Sequence, residues 1–406
     1  MIQATLLSLL IAAGPVAPVE HPFIKTEEAM VVEALVNGQK CSFMFDTGFS
    51  GVVVISPSVN IGKPTGSITL RDFVGQFEAP TVPIKTLSLG AMKIDTKGFT
   101  AVQQDQGNMS ENYGVHCDGI MGLETISHLT TEINFEKSKF IFYPDSYDIS
   151  KRKPDNVKTF LLKMLPTGNN SIELRVEAPT GKRFTLALDT GNAFYATTHK
   201  DVLEDAGIWK IGDAPKFMKQ SGVASGTVDS WYMYMKDMKI FGVPVKESVW
   251  SIIDLPSSSA ESAGTVGFGF LKNFNITFDM ERRYVWLERY TEDPGSKPIA
   301  ETGILAAYYE EMERTMIFRV VPNSPASKAG LKAGDSLLSV DGEDPSGLSF
   351  KKLANMMEGQ KGTKVNITVS RNGQLMKFVV ERDYLINGMP TTAPAPVPAS
   401  AASTGL

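Results

Sequence analysis

Two copies of the triplet Asp-Thr-Gly stand in the chain, at Asp46-Thr47-Gly48 and at Asp189-Thr190-Gly191. Their carboxyl groups could perform acid–base chemistry if the fold brought them together. Two carboxylates held about 3 Å apart cannot both ionise, so such a pair shares one proton. The ionised member can then take a proton from water, while the protonated member donates a hydrogen bond to a developing negative charge. The triplets are therefore the first candidates for a functional site.

A single Asp-Thr-Gly carries little information, because a strand that ends in a turn often combines an Asp cap with a glycine. Here the surroundings of the triplets match as well. Gly38 precedes Asp46 by eight positions. Gly181 precedes Asp189 by the same number, and each interval is typical of a turn followed by an apolar strand. Asn37-Gly38 is moreover a strong hairpin signal, since both residues tolerate positive φ.

The match between the two segments continues beyond the triplets. Asp118–Gly122 in the first copy matches Ala263–Gly267 in the second, and the final glycines lie 76 and 78 positions after the aspartates. Each copy then runs into a similar apolar hairpin. Short apolar runs bounded by turns are typical of buried strands, so the sequence predicts a duplicated unit of short β-strands. The few helices predicted before residue 300 lie at Lys200–Ala206 and in the turn after Gly267.

The pairing of FMFDTGFSG with CDGIMGLE, and of LALDTGNAF with AGTVGFGFL, resembles the two lobes of pepsin-like and retropepsin-like aspartic peptidases. The resemblance covers roughly residues 27–290. It implies a mainly β, bilobal acid-protease fold made of two related β-barrel lobes, and an aspartic-type endopeptidase that needs no cofactor and no metal. It gives roles to the catalytic Asp46 and Asp189 and to the residues that support them, Thr47, Gly48, Thr190, Gly191 and Asn192.

In that family a hairpin called the flap closes over the cleft. Here it is expected within residues 67–78, with its tip at Phe73, Val74 and Gly75. The chain departs from the family after the first triplet, where most relatives place Ser or Ala. Phe49 stands there, and its bulky ring cannot hydrogen-bond a carboxylate. A second interpretation therefore stays open: a catalytically weak or inactive pepsin-like protein that binds peptides as an adaptor.

A second resemblance follows a linker predicted at residues 293–300. The segment from Gly303 to Arg382 resembles the PDZ domains of bacterial envelope proteases. Such a module binds a peptide as an added strand beside a helix and holds the peptide carboxylate with backbone N–H groups of a loop. The resemblance places the helix at Phe350–Met357. It places the loop at Gly303, Ile304, Leu305 and Ala306. The expected partners are polypeptide substrates and the C-termini or extended segments of polypeptides.

Composition excludes several other classes of protein. With 406 residues, 42% of them hydrophobic, the chain is long enough for two or three globular domains. A net charge of −5 and the lack of a long basic run argue against nucleic-acid binding. The four histidines are scattered, and two cysteines cannot build a four-ligand zinc site. For Cys41 and Cys117 the sequence leaves two states open, a disulfide and two buried thiols.

The predicted organisation begins with a secretory signal at residues 1–20, because an apolar run from Leu6 to Ala13 is followed by small residues. The alternative is an N-terminal segment that is disordered or that lies along a membrane surface, which would keep the N-terminus membrane-proximal. We therefore expect an exported protein, in the periplasm, the cell envelope or the secreted fraction. The other predicted regions are an N-terminal lobe at 21–150, a C-terminal lobe at 151–292, the linker, a PDZ-like domain at 301–385 and a disordered Pro/Ala-rich tail at 386–406.

Overall fold

The computed structural model describes residues 17–389, apart from 72–75, 106, 108, 167–170, 224–225 and 260–261. The described part of the chain is mainly β, with 47% of its residues in strands and 11% in helices. The apolar run of the predicted signal, the predicted flap tip at Phe73, Val74 and Gly75, and most of the predicted tail lie outside the described residues. Within the described ranges, no helix combines the length and the apolar character that a membrane span requires.

The first repeat, residues 19–143, consists of short strands with a helix that the sequence did not predict, α1 (Met109–Tyr113). The strands are β1 (Val19–Lys25), β2 (Met30–Val36), β3 (Gln39–Asp46), β4 (Val53–Ile55), β5 (Gly66–Arg71), β6 (Gln76–Pro83), β7 (Leu87–Leu89), β8 (Met92–Ile94), β9 (Thr100–Gln103), β10 (Gly119–Gly122), β11 (Thr130–Asn134) and β12 (Lys139–Tyr143). Strand β1 overlaps the predicted signal, because Val19 already pairs with Phe142.

The predicted hairpin turn between β2 and β3 is confirmed. Asn37 has φ 51° and Gly38 has φ 83°, the left-handed geometry that a two-residue turn requires. The turn fixes the register in which Val32 lies opposite Phe43. It thereby sets which face of β3 enters the core on the way to Asp46.

The second repeat, residues 159–289, contains the two helices predicted before residue 300, α2 (Lys200–Asp205) and α3 (Phe268–Leu271). Its strands are β13 (Thr159–Lys163), β14 (Glu173–Glu177), β15 (Arg183–Leu188), β16 (Ala196–His199), β17 (Lys219–Val223), β18 (Gly226–Ile240), β19 (Val243–Ile253), β20 (Gly264–Val266), β21 (Phe274–Asp279) and β22 (Tyr284–Arg289). Short 3-10 turns lie at Leu123–Ile126 in the first repeat, at Ile149–Lys151 between the repeats and at Ser257–Ser259 in the second repeat.

Each aspartate stands at the end of a strand that pairs in parallel with a later strand of the same repeat. In the first repeat β10 runs parallel to β3 and places Gly122 beside Asp46. In the second, β20 runs parallel to β15 and places Val266 beside Leu188, the residue before Asp189. The duplicated sequence pattern therefore corresponds to a duplicated pairing of strands.

The two repeats share one sheet and one core. Strands β11 and β21 pair antiparallel, with Ile133 opposite Ile276, so the strand order β13-β22-β21-β11-β12-β1 crosses from one repeat to the other. Phe135 of the first repeat packs edge-on against Phe268 of the second, with ring centroids 5.6 Å apart. This continuous apolar core fixes the position of one aspartate loop relative to the other.

The C-terminal part, residues 300–387, contains α4 (Pro325–Ala329), α5 (Phe350–Met357) and a 3-10 turn at Glu310–Met312. Its strands are β23 (Ala300–Glu301), β24 (Ile304–Tyr309), β25 (Arg314–Val320), β26 (Ser336–Val340), β27 (Glu358–Gly359), β28 (Lys364–Arg371), β29 (Gln374–Glu381) and β30 (Ile386–Asn387). Five of them form the sheet β24-β25-β26-β28-β29, which has its own core around Ile317 and Leu353. A two-pronged ion pair between Arg371 and buried Asp335 ties β28 to the loop before β26.

The predicted tail begins too early, which corrects the boundary at residue 386. Ile386 and Asn387 form β30 and pair in parallel with Tyr232 and Met233 of the second repeat. Residues 390–406 lie outside the described part.

The disulfide that the sequence left open between Cys41 and Cys117 is absent, since both cysteines are free and buried. The thiol of Cys41 lies in the core shared by the repeats, whereas that of Cys117 packs in a small cluster with Ala29 and Met44. The two side chains enter different apolar clusters, which agrees with the interpretation of two buried thiols.

Candidate functional site

The structure brings Asp46 and Asp189 together where the repeats meet, and we call them the carboxyl pair. Each stands at the end of an apolar strand and is partly exposed. Asp46 Oδ1 accepts hydrogen bonds from the backbone N–H groups of Gly48 at 2.7 Å and Phe49 at 3.1 Å. Asp189 Oδ1 accepts the equivalent bonds from Gly191 at 2.9 Å and Asn192 at 3.1 Å. The local turns therefore hold both carboxyl groups in matching orientations.

The two threonines of the triplets cross between the repeats. Thr47 Oγ1 donates to the carbonyl of Leu188 at 2.8 Å and accepts from the N–H of Thr190 at 3.0 Å. In return, Thr190 Oγ1 donates to the carbonyl of Phe45 at 2.7 Å and accepts from the N–H of Thr47 at 3.1 Å. Both side chains are almost completely buried. Four reciprocal hydrogen bonds thus lock one loop against the other.

The glycines of the triplets let the carboxyl groups approach. A Cβ atom on Gly48 would lie 2.5 Å from Cγ of Asp189, and one on Gly191 would lie 2.3 Å from Cγ of Asp46. Both distances are far below van der Waals contact. Any other residue at either position would push the opposite carboxyl group away, so the glycines are needed for the pair to form.

Enclosure by protein raises the pKa of both carboxyl groups. For Asp46 burial has the largest effect, and the negative charge of Asp189 together with a hydrogen bond to it raises the pKa further, well above its usual range. Burial also raises the pKa of Asp189, but that hydrogen bond and the N–H group of Gly191 oppose the rise. The two carboxyl groups therefore act as one pair, which keeps a shared proton at a pH where a free aspartate is already ionised.

The side chains of Asn192 and Phe49, next to the carboxyl pair, make contacts that the sequence did not indicate. The side chain of Asn192 does not donate to Asp189; its Nδ2 donates to Thr197 at 3.0 Å and to Thr265 at 2.7 Å. The hydroxyl of Thr265 in turn lowers the pKa of Asp189 by hydrogen bonding, a role that the sequence pattern did not reveal. The ring of Phe49 packs into an apolar cluster with Val54 and other residues of the first repeat. Phe49 therefore leaves the pair undisturbed.

The structure places the predicted peptide-binding loop and helix beside each other. Gly303 has φ +87° and precedes β24, which contains Ile304, Leu305 and Ala306. Helix α5 spans Phe350–Met357, as predicted, and packs next to β24. Among the described residues β24 pairs with β25 on one side, and no strand pairs with its other edge. A free strand edge beside a helix is the arrangement to which a peptide can add as a strand.

The C-terminal part is anchored to the second repeat by contacts that the sequence did not indicate. Lys219 forms an ion pair with Glu301, and its Nζ lies 4.2 Å from the ring centre of Tyr232. Leu305 packs against Phe217, which also contacts other residues of the C-terminal part. These residues are far apart in the chain and carry no shared pattern, so only the fold brings them together.

Comparison with known proteins identifies the C-terminal part. Residues 316–371 match the PDZ domain family. A "Probable CtpA-like serine protease" of Staphylococcus saprophyticus is 26% identical over 143 residues, which cover 34% of this chain and 28% of the relative. The "Carboxy-terminal processing protease CtpA" of Bacillus subtilis is 31% identical over 90 residues, which cover 21% of this chain and 19% of the relative.

A solved structure, the photosystem II D1 C-terminal processing protease, matches 21% of this chain and 23% of its own at 23% identity. Its TM-score of 0.20 is too low to carry an argument. This chain spans less than a third of the two curated relatives. The activities given in the names of these relatives therefore describe those proteins.

The names of these relatives contradict the prediction of an aspartic-type endopeptidase, so this prediction is wrong. The relatives are named as carboxy-terminal processing and serine proteases, which conflicts with a mechanism based on two aspartates. The predicted relation to proteases and the predicted PDZ domain remain. The chain contains a PDZ domain and is similar, over about a fifth to a third of its length, to proteins named as CtpA-like and carboxy-terminal processing proteases.

Proposed function

We propose that this chain is a protease-related polypeptide-binding protein whose PDZ domain takes a C-terminus or an extended segment of its partner. The observation that carries the proposal is the free edge of β24, which lies just before the residues that match the PDZ family, beside α5, which lies within them. Backbone groups along this edge can pair with a peptide of almost any sequence, and the side chains around the groove select among peptides.

An exposed aromatic pair stands at the start of α5. Phe350 opens the helix and is 50% exposed, and Phe318 on the neighbouring β25 is 37% exposed. Their ring centroids are 6.2 Å apart. Phe318 lies at a bulge, opposite the step from Leu305 to Ala306 in β24. Exposed rings beside a free strand edge favour a peptide with a large apolar side chain.

For the two repeats we propose a pepsin-like bilobal fold, with lobes at residues 21–150 and 151–292 and the PDZ domain at 301–385. The parallel pairings of β3 with β10 and of β15 with β20 support it. So do the reciprocal hydrogen bonds between Thr47 and Thr190. Export of the chain stays a prediction.

The carboxyl pair suits a second contact with the polypeptide. With one shared proton it presents one O–H donor and several acceptor oxygens. A peptide group presents one acceptor and one donor in return. We propose that the exposed side of Asp46 and Asp189 hydrogen-bonds the backbone of a bound segment. No catalytic role is proposed for these two residues, because the names of the relatives conflict with a mechanism based on two aspartates.

Titration of fluorescein-labelled peptides into the purified chain tests the PDZ groove, with peptides that differ in the size of their apolar C-terminal residues. We expect Phe350→Ala to weaken binding about 3- to 10-fold, the loss typical of one aromatic contact. Leu375→Ala is the matched control, because Leu375 is 64% exposed on β29, at the opposite end of the sheet. Equal affinities in the two variants, or no binding by the unaltered chain at millimolar peptide, would overturn the proposal.

A further inference from the structure

The PDZ domain contacts the two repeats in different ways. Its contact with the second repeat is buried: the side chains of Lys219 and Glu301 are 8% and 16% exposed. Asn387 adds to it, because its Oδ1 accepts from the N–H of Lys216 at 2.6 Å and its Nδ2 donates to the carbonyl of Tyr232 at 3.1 Å. Breaking such a buried contact leaves polar groups without partners, so this attachment is durable.

The contact with the first repeat is made by charges closer to the surface, with the side chain of Lys351 26% exposed. Lys351, the second residue of α5, places its Nζ 3.1 Å from Glu28 and 3.7 Å from Glu27. The glutamates lie in the loop between β1 and β2, and their side chains are 39% and 87% exposed. Exposed ion pairs are weak and are screened by salt. This attachment is therefore much easier to release than the buried one.

The loop with Glu28 leads towards the carboxyl pair. The next residue, Ala29, packs in one apolar cluster with Met44, two positions before Asp46, and with Tyr113 of α1. Burial raises the pKa of Tyr113, and the charges of Cys117, Asp46 and Glu28 raise it further. One chain of contacts thus connects α5 of the PDZ domain, through Lys351, to the surroundings of Asp46.

We propose that Lys351 is a positioning residue that couples the PDZ groove to the region around the carboxyl pair. With the groove empty, Lys351 holds α5 against the loop of Glu27 and Glu28. A peptide that adds to β24 displaces α5, breaks these exposed ion pairs and lets the domain pivot on its buried attachment to the second repeat. The surroundings of Asp46 then become accessible to the same polypeptide. The coupling rests on the proposed peptide binding by the PDZ domain.

Charge reversal tests the coupling. Lys351→Glu is expected to raise the amide hydrogen-exchange rates of residues 26–30 and 109–113 about fivefold, the lower end of typical coupling between sites. Lys352→Glu is the matched control, because it makes the same charge change on the exposed side of the same helix. Combining Lys351→Glu with Glu27→Lys and Glu28→Lys restores the attraction and is expected to restore slow exchange.

A saturating peptide is expected to speed exchange in the unaltered chain and to have no further effect on Lys351→Glu. Equal exchange in Lys351→Glu and Lys352→Glu, or failure of the triple variant to restore slow exchange, would overturn the coupling. If a peptide binds and exchange does not change, the coupling is wrong and the proposed peptide binding stands. If no peptide binds, the proposed function is wrong, and the coupling fails with it as a response to peptide.

Discussion

At the scale of single residues, the two aspartates experience opposing effects. Each carboxyl group accepts two backbone N–H bonds, which favour its ionised form. Burial acts in the other direction and prevails for both; the neighbouring carboxyl group adds to its effect on the pKa of Asp46 and opposes its effect on the pKa of Asp189. The folded chain consequently takes up a proton that the unfolded chain would release at the same pH.

This uptake makes stability depend on pH. Because the pKa of Asp46 is higher in the folded chain, the free energy of unfolding falls as pH rises from about 4, its unfolded value, through its folded value. Asp46→Asn removes the contribution of this residue, so we expect the variant to exceed the unaltered chain by ~1–2 kcal/mol at pH 8 and to match it at pH 3. Urea unfolding at several pH values measures the difference.

Asp155 provides a control of opposite sign. The N–H groups of Thr159 and its two predecessors bond its carboxylate and lower its pKa. Asp155→Asn is therefore expected to reduce stability near neutral pH and to have no effect at low pH. A stability curve for Asp46→Asn parallel to that of the unaltered chain would show that the carboxyl pair does not hold an extra proton.

At the scale of elements, the sequence predicted what local signals specify. The turn at Asn37-Gly38 needs two residues that tolerate positive φ, and α5 begins after Ser349, whose side chain caps the helix by accepting from the N–H of Lys352. The two Asp-Thr-Gly loops could be predicted because each loop supplies its own N–H donors. Thr265 could not, because its contact with Asp189 depends on the pairing of distant strands.

The sequence did not predict strand β30 for the same reason, because the two residues of this strand pair with β18, more than 150 positions earlier in the chain.

Asn387→Ala removes the partners of the Lys216 N–H and the Tyr232 carbonyl. We expect it to lower the free energy of unfolding by about 2 kcal/mol, the cost typical of buried polar groups left unpaired. Chemical denaturation measures the loss. Asn366→Ala, which removes an exposed bond to Asp341, is the control and should cost less than 0.5 kcal/mol, roughly the limit for surface changes.

At the scale of the whole molecule, the reactivities of the two cysteine thiols measure two kinds of opening, local opening and global unfolding. Cys41 is 1% exposed in the core shared by the repeats, and burial and the charge of Asp118 raise its pKa to about 11. Cys117 is 8% exposed in its small cluster, and burial raises its pKa as well. Thiol reagents attack the thiolate, so both side chains should be nearly inert in the folded chain.

We expect an alkylating reagent to modify Cys117 at least about tenfold faster than Cys41, because a small cluster opens locally while the shared core opens only on global unfolding. Peptide mass spectrometry after timed labelling distinguishes the two sites. Adding urea should accelerate Cys41 in proportion to the global unfolding equilibrium and Cys117 much less. Faster modification of Cys41 than of Cys117 would contradict the assignment of Cys41 to the shared core.

The pairing of β11 with β21 has a consequence for the ancestry of the chain and for its dissection. Ile133 and Ile276 occupy corresponding places in the two repeats, so the seam between them joins like to like. A repeat produced alone would carry an uncovered, self-complementary margin at this seam, and a second copy could cover it by a twofold axis. Separated repeats are therefore expected to assemble as symmetric dimers through this seam. A single-repeat ancestor would have folded as such a dimer before duplication fused the two copies into one polypeptide.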